Sequence, residues 1–256
     1  MTTAAHQFRS GDLVLRGHLS GGGTPGRPGV VLVHGYPSGP AGTAGAVSAM
    51  PELADRIAES MGFVAFSPCL RGMAPSKGDF SVRGWIDDIH AAVAELRSVA
   101  APSGIWLAGF GTGGALSLCA AADDVSVAGV AALAAPADFD DWASNPKRLF
   151  EHAHEVGITR VAPSPRAIDG WSRDLRASKA VEAAQRLAPR SLLVIHGSDD
   201  DLVPSLDARV LADAHTAGEL RLLSGAGHRL RHDPRAVAIL LGWLDRQRLA
   251  AVPRTA

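Results

Sequence analysis

Short apolar runs alternate along the chain with longer segments whose apolar residues recur at helical spacing, and Gly and Pro mark most of the boundaries. Residues 6–18 predict a hairpin turning at Gly11-Asp12, and residues 21–26 a glycine-rich loop. Val30-Val31-Leu32-Val33-His34 is a continuous apolar run, the kind of strand buried on both faces of a parallel sheet. Residues 46–61 predict a helix with Met50, Leu53, Ile57 and Met61 on one face. Residues 63–66 predict the next strand. Residues 82–99 predict a helix carrying Trp85, Ile89, Val93 and Leu96 on its apolar stripe.

The alternation continues with strands at 105–108 and 125–133 around a small-residue helix at 112–122. Residues 136–189 break the rhythm with two or three helical pieces and prolines at 146, 163, 165 and 189. Strands at 192–195 and 220–223 and helices at 205–215 and 234–250 close the chain. Strand–helix alternation of this kind predicts an α/β domain with a doubly wound, mostly parallel sheet spanning residues 1–256. The irregular stretch 136–189 reads as an insertion over the strand C-termini, a cap over a site.

Composition narrows the function classes. With 46% hydrophobic and 20% charged residues, the chain is of ordinary globular make-up. Lys+Arg 25 against Asp+Glu 26 leaves a net charge of −1, which argues against nucleic acid or an acidic membrane as a partner. Lys77, Lys147 and Lys179 are the only lysines, and the arginines read as scattered and solvated. Cys69 and Cys119 build no disulfide framework or C-x-x-C site. Residues 1–10 contain no apolar signal segment, and the best candidate for a spanning run, Val125 to Ala135, is too short to span a bilayer, so a cytoplasmic location is expected.

Chemistry is expected in the loops at the strand ends. His34-Gly35-Tyr36-Pro37 follows a buried strand, and Gly109-Phe110-Gly111-Thr112-Gly113-Gly114 makes a sharp strand-to-helix turn. His196-Gly197-Ser198-Asp199-Asp200-Asp201-Leu202-Val203-Pro204 and Gly225-Ala226-Gly227-His228 follow two later strands. Together, in this order, they resemble the α/β-hydrolase fold of cap-bearing esterases and serine-aminopeptidase-like enzymes, over nearly the whole chain. By this resemblance His34-Gly35 corresponds to the oxyanion loop. Leu70-Arg71-Gly72-Met73-Ala74-Pro75-Ser76 corresponds to an Arg-Gly-x-Gly-x-Ser loop, with Ala74 replacing its second Gly. Asp200 falls on the acid position and His228 on the base. The backbone N–H groups of Tyr36 and Thr112 fall on the oxyanion hole, and no cofactor or metal is implied.

The departure is at the centre. A nucleophile elbow reads G-x-S-x-G, so that a strained central residue exposes its side chain. Here the segment is Gly109-Phe110-Gly111-Thr112-Gly113, and Gly111 carries no nucleophile. The usual acyl-enzyme route is closed at this position. Thr112, Ser38, Ser198 and Cys69 are the nearest substitutes, and none occupies the elbow.

Two readings follow. His228, oriented by Asp200, could deprotonate water, with general-base action and oxyanion stabilisation worth about 10²–10⁴-fold and about 10²–10³-fold respectively. Alternatively the pair is inherited in a pseudo-hydrolase that binds a ligand or partner without catalysis. A third account of Gly111 is a serine removed by engineering. His34, Gly35, Phe110, Trp142 and Trp171 are expected to line the pocket. Trp142, Trp171 and the lack of a charged stripe suggest a small apolar carbonyl ligand, and a homo-oligomer is allowed.

Other features carry bland expectations. Asp199-Asp200-Asp201 lacks a spaced ligand set for a cation, His152 and His154 would face different sides of a helix, and His228 and His232 are separated by loop running towards Pro234, so none is expected to hold a metal; Asp87 and Asp88 are expected on a solvated helix face. Gly109-x-Gly111-x-x-Gly114 also fits a dinucleotide fingerprint, the basis for an NAD(P)-binding oxidoreductase. That reading requires an acidic residue closing the next strand, which instead ends Leu133-Ala134-Ala135-Pro136, with Asp138 beyond it.

Overall fold

A computed structural model describes residues 2–22, 24–37, 42–162 and 164–251. Gly23 of the glycine-rich loop, Ser38 of the oxyanion loop and Pro163 of the insertion lie outside the described residues. The strands are β1 (Thr2–Ser10), β2 (Leu13–Gly22), β3 (Gly29–Val33), β4 (Val64–Cys69), β5 (Ile105–Phe110), β6 (Val127–Leu133), β7 (Ser191–Gly197) and β8 (Glu219–Leu223). They form one sheet in the order β1-β2-β4-β3-β5-β6-β7-β8. β2 pairs antiparallel with both β1 and β4, and all the remaining pairs are parallel. The doubly wound α/β sheet expected from the hydrophobic pattern is the sheet observed.

The helices are α1 (Gly42–Val47), α2 (Met50–Met61), α3 (Val82–Ala100), α4 (Thr112–Asp123), α5 (Asp140–Ser144), α6 (Pro146–Glu155), α7 (Pro165–Ala177), α8 (Ala180–Leu187), α9 (Ser205–His215) and α10 (Pro234–Ala251). They cover both faces of the sheet because the strands are apolar on both. In β3, Val31 and Val33 join the core under α3, α4, α8 and α9, whereas Val30 and Leu32 join the core under α2 and α10. The predicted stripe of α3 (Trp85, Ile89, Val93 and Leu96) is wholly buried. Ser81 caps this helix by accepting the Gly84 N–H at 3.0 Å.

Several boundaries differ from the sequence expectation. The helix predicted over 46–61 is two, because Pro51 opens a new helix at its first turn. β4 runs on to Cys69 because Arg16 and Gly17 of β2 pair with Cys69 and Pro68, beyond the last pairing of β3. The 136–189 insertion holds four helices. α5, α6 and α7 pack on one another, but α8 packs against α4 and α9, within the layer that covers the sheet.

Asp87 and Asp88 also separate. Asp87 pairs with Arg83 at the surface. Asp88, three residues on from Trp85, shares its inward face and is fully buried. Its carboxylate accepts from Arg71 Nη2 at 2.7 Å, Arg71 Nε at 3.0 Å and the Arg71 backbone N–H at 2.8 Å. Arg71 thus anchors the loop after β4 to α3, where the Trp85 indole N–H also donates to Arg71 O at 2.9 Å.

Candidate active site

The turn from β5 into α4 stands at the middle of the sheet. Gly111 N–H donates to Leu133 O at 2.8 Å, and Gly111 O accepts from Gly114 N–H at 2.9 Å, which fixes the turn from both sides. Gly111 has φ 56° and ψ −128°, a conformation that L side chains rarely adopt. The chain can pack this tightly only with glycine beside it: a Cβ on Gly109 would stand 2.4 Å from Gly113 O, and one on Gly113 would stand 2.2 Å from His34 O. A Cβ on Gly111 would instead point into the site, 3.3 Å from His228 Nε2, 3.6 Å from its Cε1 and 4.0 Å from Gly35 Cα.

His228 and Asp200 are brought together from the loops after β8 and β7. His228 Nδ1 lies 2.9 Å from Asp200 Oδ2 and 3.2 Å from Oδ1. The loops are tied by Ser198 N–H to Leu223 O at 2.9 Å, Asp199 N–H to Ala226 O at 2.9 Å, and Gly225 N–H to Ser198 Oγ at 2.8 Å. Asp200 Oδ1 accepts the backbone N–H groups of Leu202 and Val203, each at 2.9 Å. Burial would raise this carboxyl, but bonds from His196, His228 and the two amides hold it well below the usual carboxylate range. With Asp200 on Nδ1, the other ring nitrogen of His228, Nε2, faces Gly111.

His196 is a residue whose role sequence reasoning missed. It is fully buried at the end of β7, with Nε2 3.2 Å from Asp200 Oδ2 and 2.9 Å from Val203 O. Burial lowers its pKa, but these acceptors outweigh burial and the net direction is upward. Its place four residues before the acid was a signal, though a histidine closing a buried strand has no distinctive pattern.

The loop after β3 is held by His34. Leu70 N–H donates to its Nε2 at 3.1 Å, so its Nδ1 carries the proton and donates to Gly35 O at 3.0 Å. Burial pushes this imidazole down to about 4. His34, expected in the pocket, therefore shapes the loop from behind. Gly35 lies against the elbow, where a Cβ would meet Phe110 O at 2.8 Å. The N–H groups of Tyr36 and Thr112 make no backbone hydrogen bond among the described residues.

Gly35, Tyr36, Phe110, Gly111 and His228 line one small cavity with Ala46, Leu230, Arg229 and Arg231. Its volume is about 20 Å³, room for about one water. Trp142 and Trp171 are placed elsewhere: Trp142 lies 5.0 Å from the Tyr36 ring, and Trp171 lies 5.2 Å from Phe80 and 4.7 Å from Phe150. They pack α5 and α7 against Tyr36, Phe80 and Phe150 in an aromatic cluster, since large rings gain more from burial against one another than from lining a water-sized space.

Among the described residues, the other substitutes for a nucleophile are occupied or buried. Burial pushes the Cys69 thiol up, and it donates to Met73 O at 3.1 Å. Thr112 is buried at the first turn of α4, and Ser198 Oγ donates to Asp199 Oδ1 at 2.5 Å. A second Ser–His–Asp grouping, Ser20, His18 and Asp55, is no triad. Its serine and its aspartate face the same nitrogen, His18 Nε2, at 3.2 and 2.7 Å, whereas the triad needs one partner on each ring nitrogen. Among the described residues no group of three His, Cys, Asp or Glu could hold a metal ion, and no helix is long and apolar enough to cross a membrane. The glycines of the dinucleotide-like run serve packing: a Cβ on Gly109 would meet Gly113 O at 2.4 Å, and one on Gly114 would meet Gly109 O at 2.9 Å.

The sequence profile of the alpha/beta hydrolase family matches residues 30–240. The curated proteins offer no match. Among solved structures, the chain is similar to the alpha/beta hydrolase GrgF from Penicillium, at 20% identity and a TM-score of 0.72, covering 98% of this chain and 100% of that one. It is also similar to Est1E from Butyrivibrio proteoclasticus, at 16% identity and a TM-score of 0.70, covering 96% and 98%. A Pyrococcus furiosus esterase aligns at 16% identity and a TM-score of 0.70, covering 96% and 92%.

Proposed function

Because the chain belongs to the alpha/beta hydrolase family, we propose that it hydrolyses a small carbonyl compound by direct attack of water, without an acyl-enzyme. The observation that carries this reading is the backbone of Gly111 together with its distance to His228. An oxygen standing where a side chain would begin lies about 3.3 Å from Nε2, within reach for proton transfer once a substrate tightens the site.

In this reaction a water oxygen forms a bond to the carbonyl carbon as its proton passes to His228 Nε2. Asp200 holds the imidazole and balances its new charge. The tetrahedral oxyanion is met by the N–H groups of Tyr36 and Thr112. Collapse breaks the bond to the leaving alcohol or amine, which takes the proton back from Nε2. The products are a carboxylic acid and the leaving group, and the protein returns to its starting state.

The test is a panel of activated esters offered to the wild-type chain and to His228→Ala. The variant is expected to lose about 10²–10⁴-fold in kcat/KM. A fluorophosphonate probe is expected to leave the wild-type chain unlabelled. Equal rates in the two proteins would remove the catalytic reading and leave a ligand-binding pseudo-hydrolase; stoichiometric labelling would reveal a nucleophile other than those considered.

A further inference from the structure

Two arginines line the cavity beside His228, and among the described residues neither has an acidic partner. Arg229 and Arg231 form no ion pair among the described residues, and no carboxylate lines the cavity. Two acids of the neighbouring loops are already engaged. Asp200 is shared by His228 and His196, and Asp233 is gripped by Arg235, with Nη2 to Oδ2 at 2.7 Å and Nε to Oδ1 at 3.1 Å. Arg231 is half-buried; its Nη2 donates to the neutral carbonyl of Gly45 at 2.6 Å, and its Nε–H is buried with no partner. A guanidinium held this way has lost water without gaining a counter-charge, an arrangement that an anion corrects.

Resting on the hydrolytic reading above, we propose that the substrate of this cleft is anionic: a short acyl compound lying across the solvent-facing mouth of the water-sized cavity, its own carboxylate held by Arg229 and Arg231 while its carbonyl stands over Gly111. The fork of donors on each arginine suits a carboxylate. The surroundings agree with a positive local potential. Burial first, then the charges of Arg231 and Arg229, hold the His232 imidazole below its ordinary value. An apolar ligand, expected from Trp142 and Trp171, loses its support here because those rings lie in the cap's packing.

The test compares 4-nitrophenyl hydrogen glutarate with the neutral 4-nitrophenyl pentanoate, both corrected for buffer hydrolysis, and measures binding of glutarate alone by calorimetry. The full chain is used in each case. The wild type is expected to favour the anionic ester by about 10- to 100-fold in kcat/KM, the worth of a hydrogen bond to a charged group. Arg229→Gln and Arg231→Gln should bring that ratio towards one and weaken glutarate binding, with Arg231→Lys retaining part of both. Arg229 is exposed, so its variant reads selectivity even if loss of the Gly45 bond unfolds Arg231→Gln. A ratio unchanged in the variants, or turnover of both esters with no glutarate binding, overturns the anionic site and leaves hydrolysis standing. Arginine-dependent glutarate binding with neither ester turned over keeps the anionic site and removes hydrolysis.

Discussion

Restoring a hydroxyl with Gly111→Ser tests the geometry of the elbow directly. The new Cβ would stand 3.3 Å from His228 Nε2, slightly tight, against a ring that is part-exposed and able to give by a few tenths of an ångström. An L residue at φ 56° and ψ −128° costs about 1–3 kcal/mol. Removing glycine's freedom from the unfolded chain offsets about 0.4–1 kcal/mol of that. The net expectation is a loss of about 1–2 kcal/mol, or a Tm lower by roughly 2–8 °C for a domain of this size.

The chemical expectation runs the other way. Loss of the serine from an optimised triad costs about 10⁶-fold, and regaining a fraction of this, about 10²–10³-fold on an activated ester, is expected. The assay is a stopped-flow burst with fluorophosphonate labelling, beside a thermal melt. Gly111→Ala is the control, because it carries the same backbone cost without a hydroxyl and fills the space assigned to water. It should melt like the serine variant and turn over more slowly than wild type. A folded serine variant with neither burst nor label would refute the claim that base, acid and oxyanion donors stand ready. Full wild-type activity in Gly111→Ala would refute the position assigned to water.

Asp88→Ala should cost about 3–5 kcal/mol by stranding the Arg71 guanidinium, whereas Asp87→Ala at the adjacent position should stay within about 0.5 kcal/mol; denaturant melts of the two compare them. Burial holds His34 at about 4 against 6.5 in the unfolded chain. The unfolded state therefore binds the extra proton between those values, and stability should fall as pH drops from about 6.5 to about 4, a limb that His34→Gln should flatten. His196 has the opposite sign: its raised pKa contributes stability present below about 6.5 and lost as pH rises through its folded value. His196→Asn should remove that alkaline limb in a series of melts across pH, and an unchanged slope would mean that the Asp200–His196 contact is energetically empty.

The α/β architecture was legible because buried parallel strands must be apolar on both faces, and β3, β5 and β7 read that way without any partner in view. The pairing of Asp200 with His228 was legible from their loops by resemblance, and the sharp turn at Gly111 by its glycines. The boundaries at Pro51 and Cys69 were not, because a helix start and a pairing with β2 depend on chain that is distant or ambiguous locally. Asp88 looked like its neighbour Asp87, and only the approach of Arg71 from another loop separates a buried ion pair from a surface one. Trp142 and Trp171 carried the composition of a pocket, yet which rings face a cavity and which face each other is a matter of packing.

By itself, then, the sequence determined the sheet, the order of the site loops and the absence of a side chain at Gly111, all properties of local pattern and spacing. Tertiary structure decided what stands around that gap. His196 behind Asp200 and the two arginines beside His228 take their meaning from neighbours contributed by separate loops, since burial and charge pairing arise only when distant segments meet.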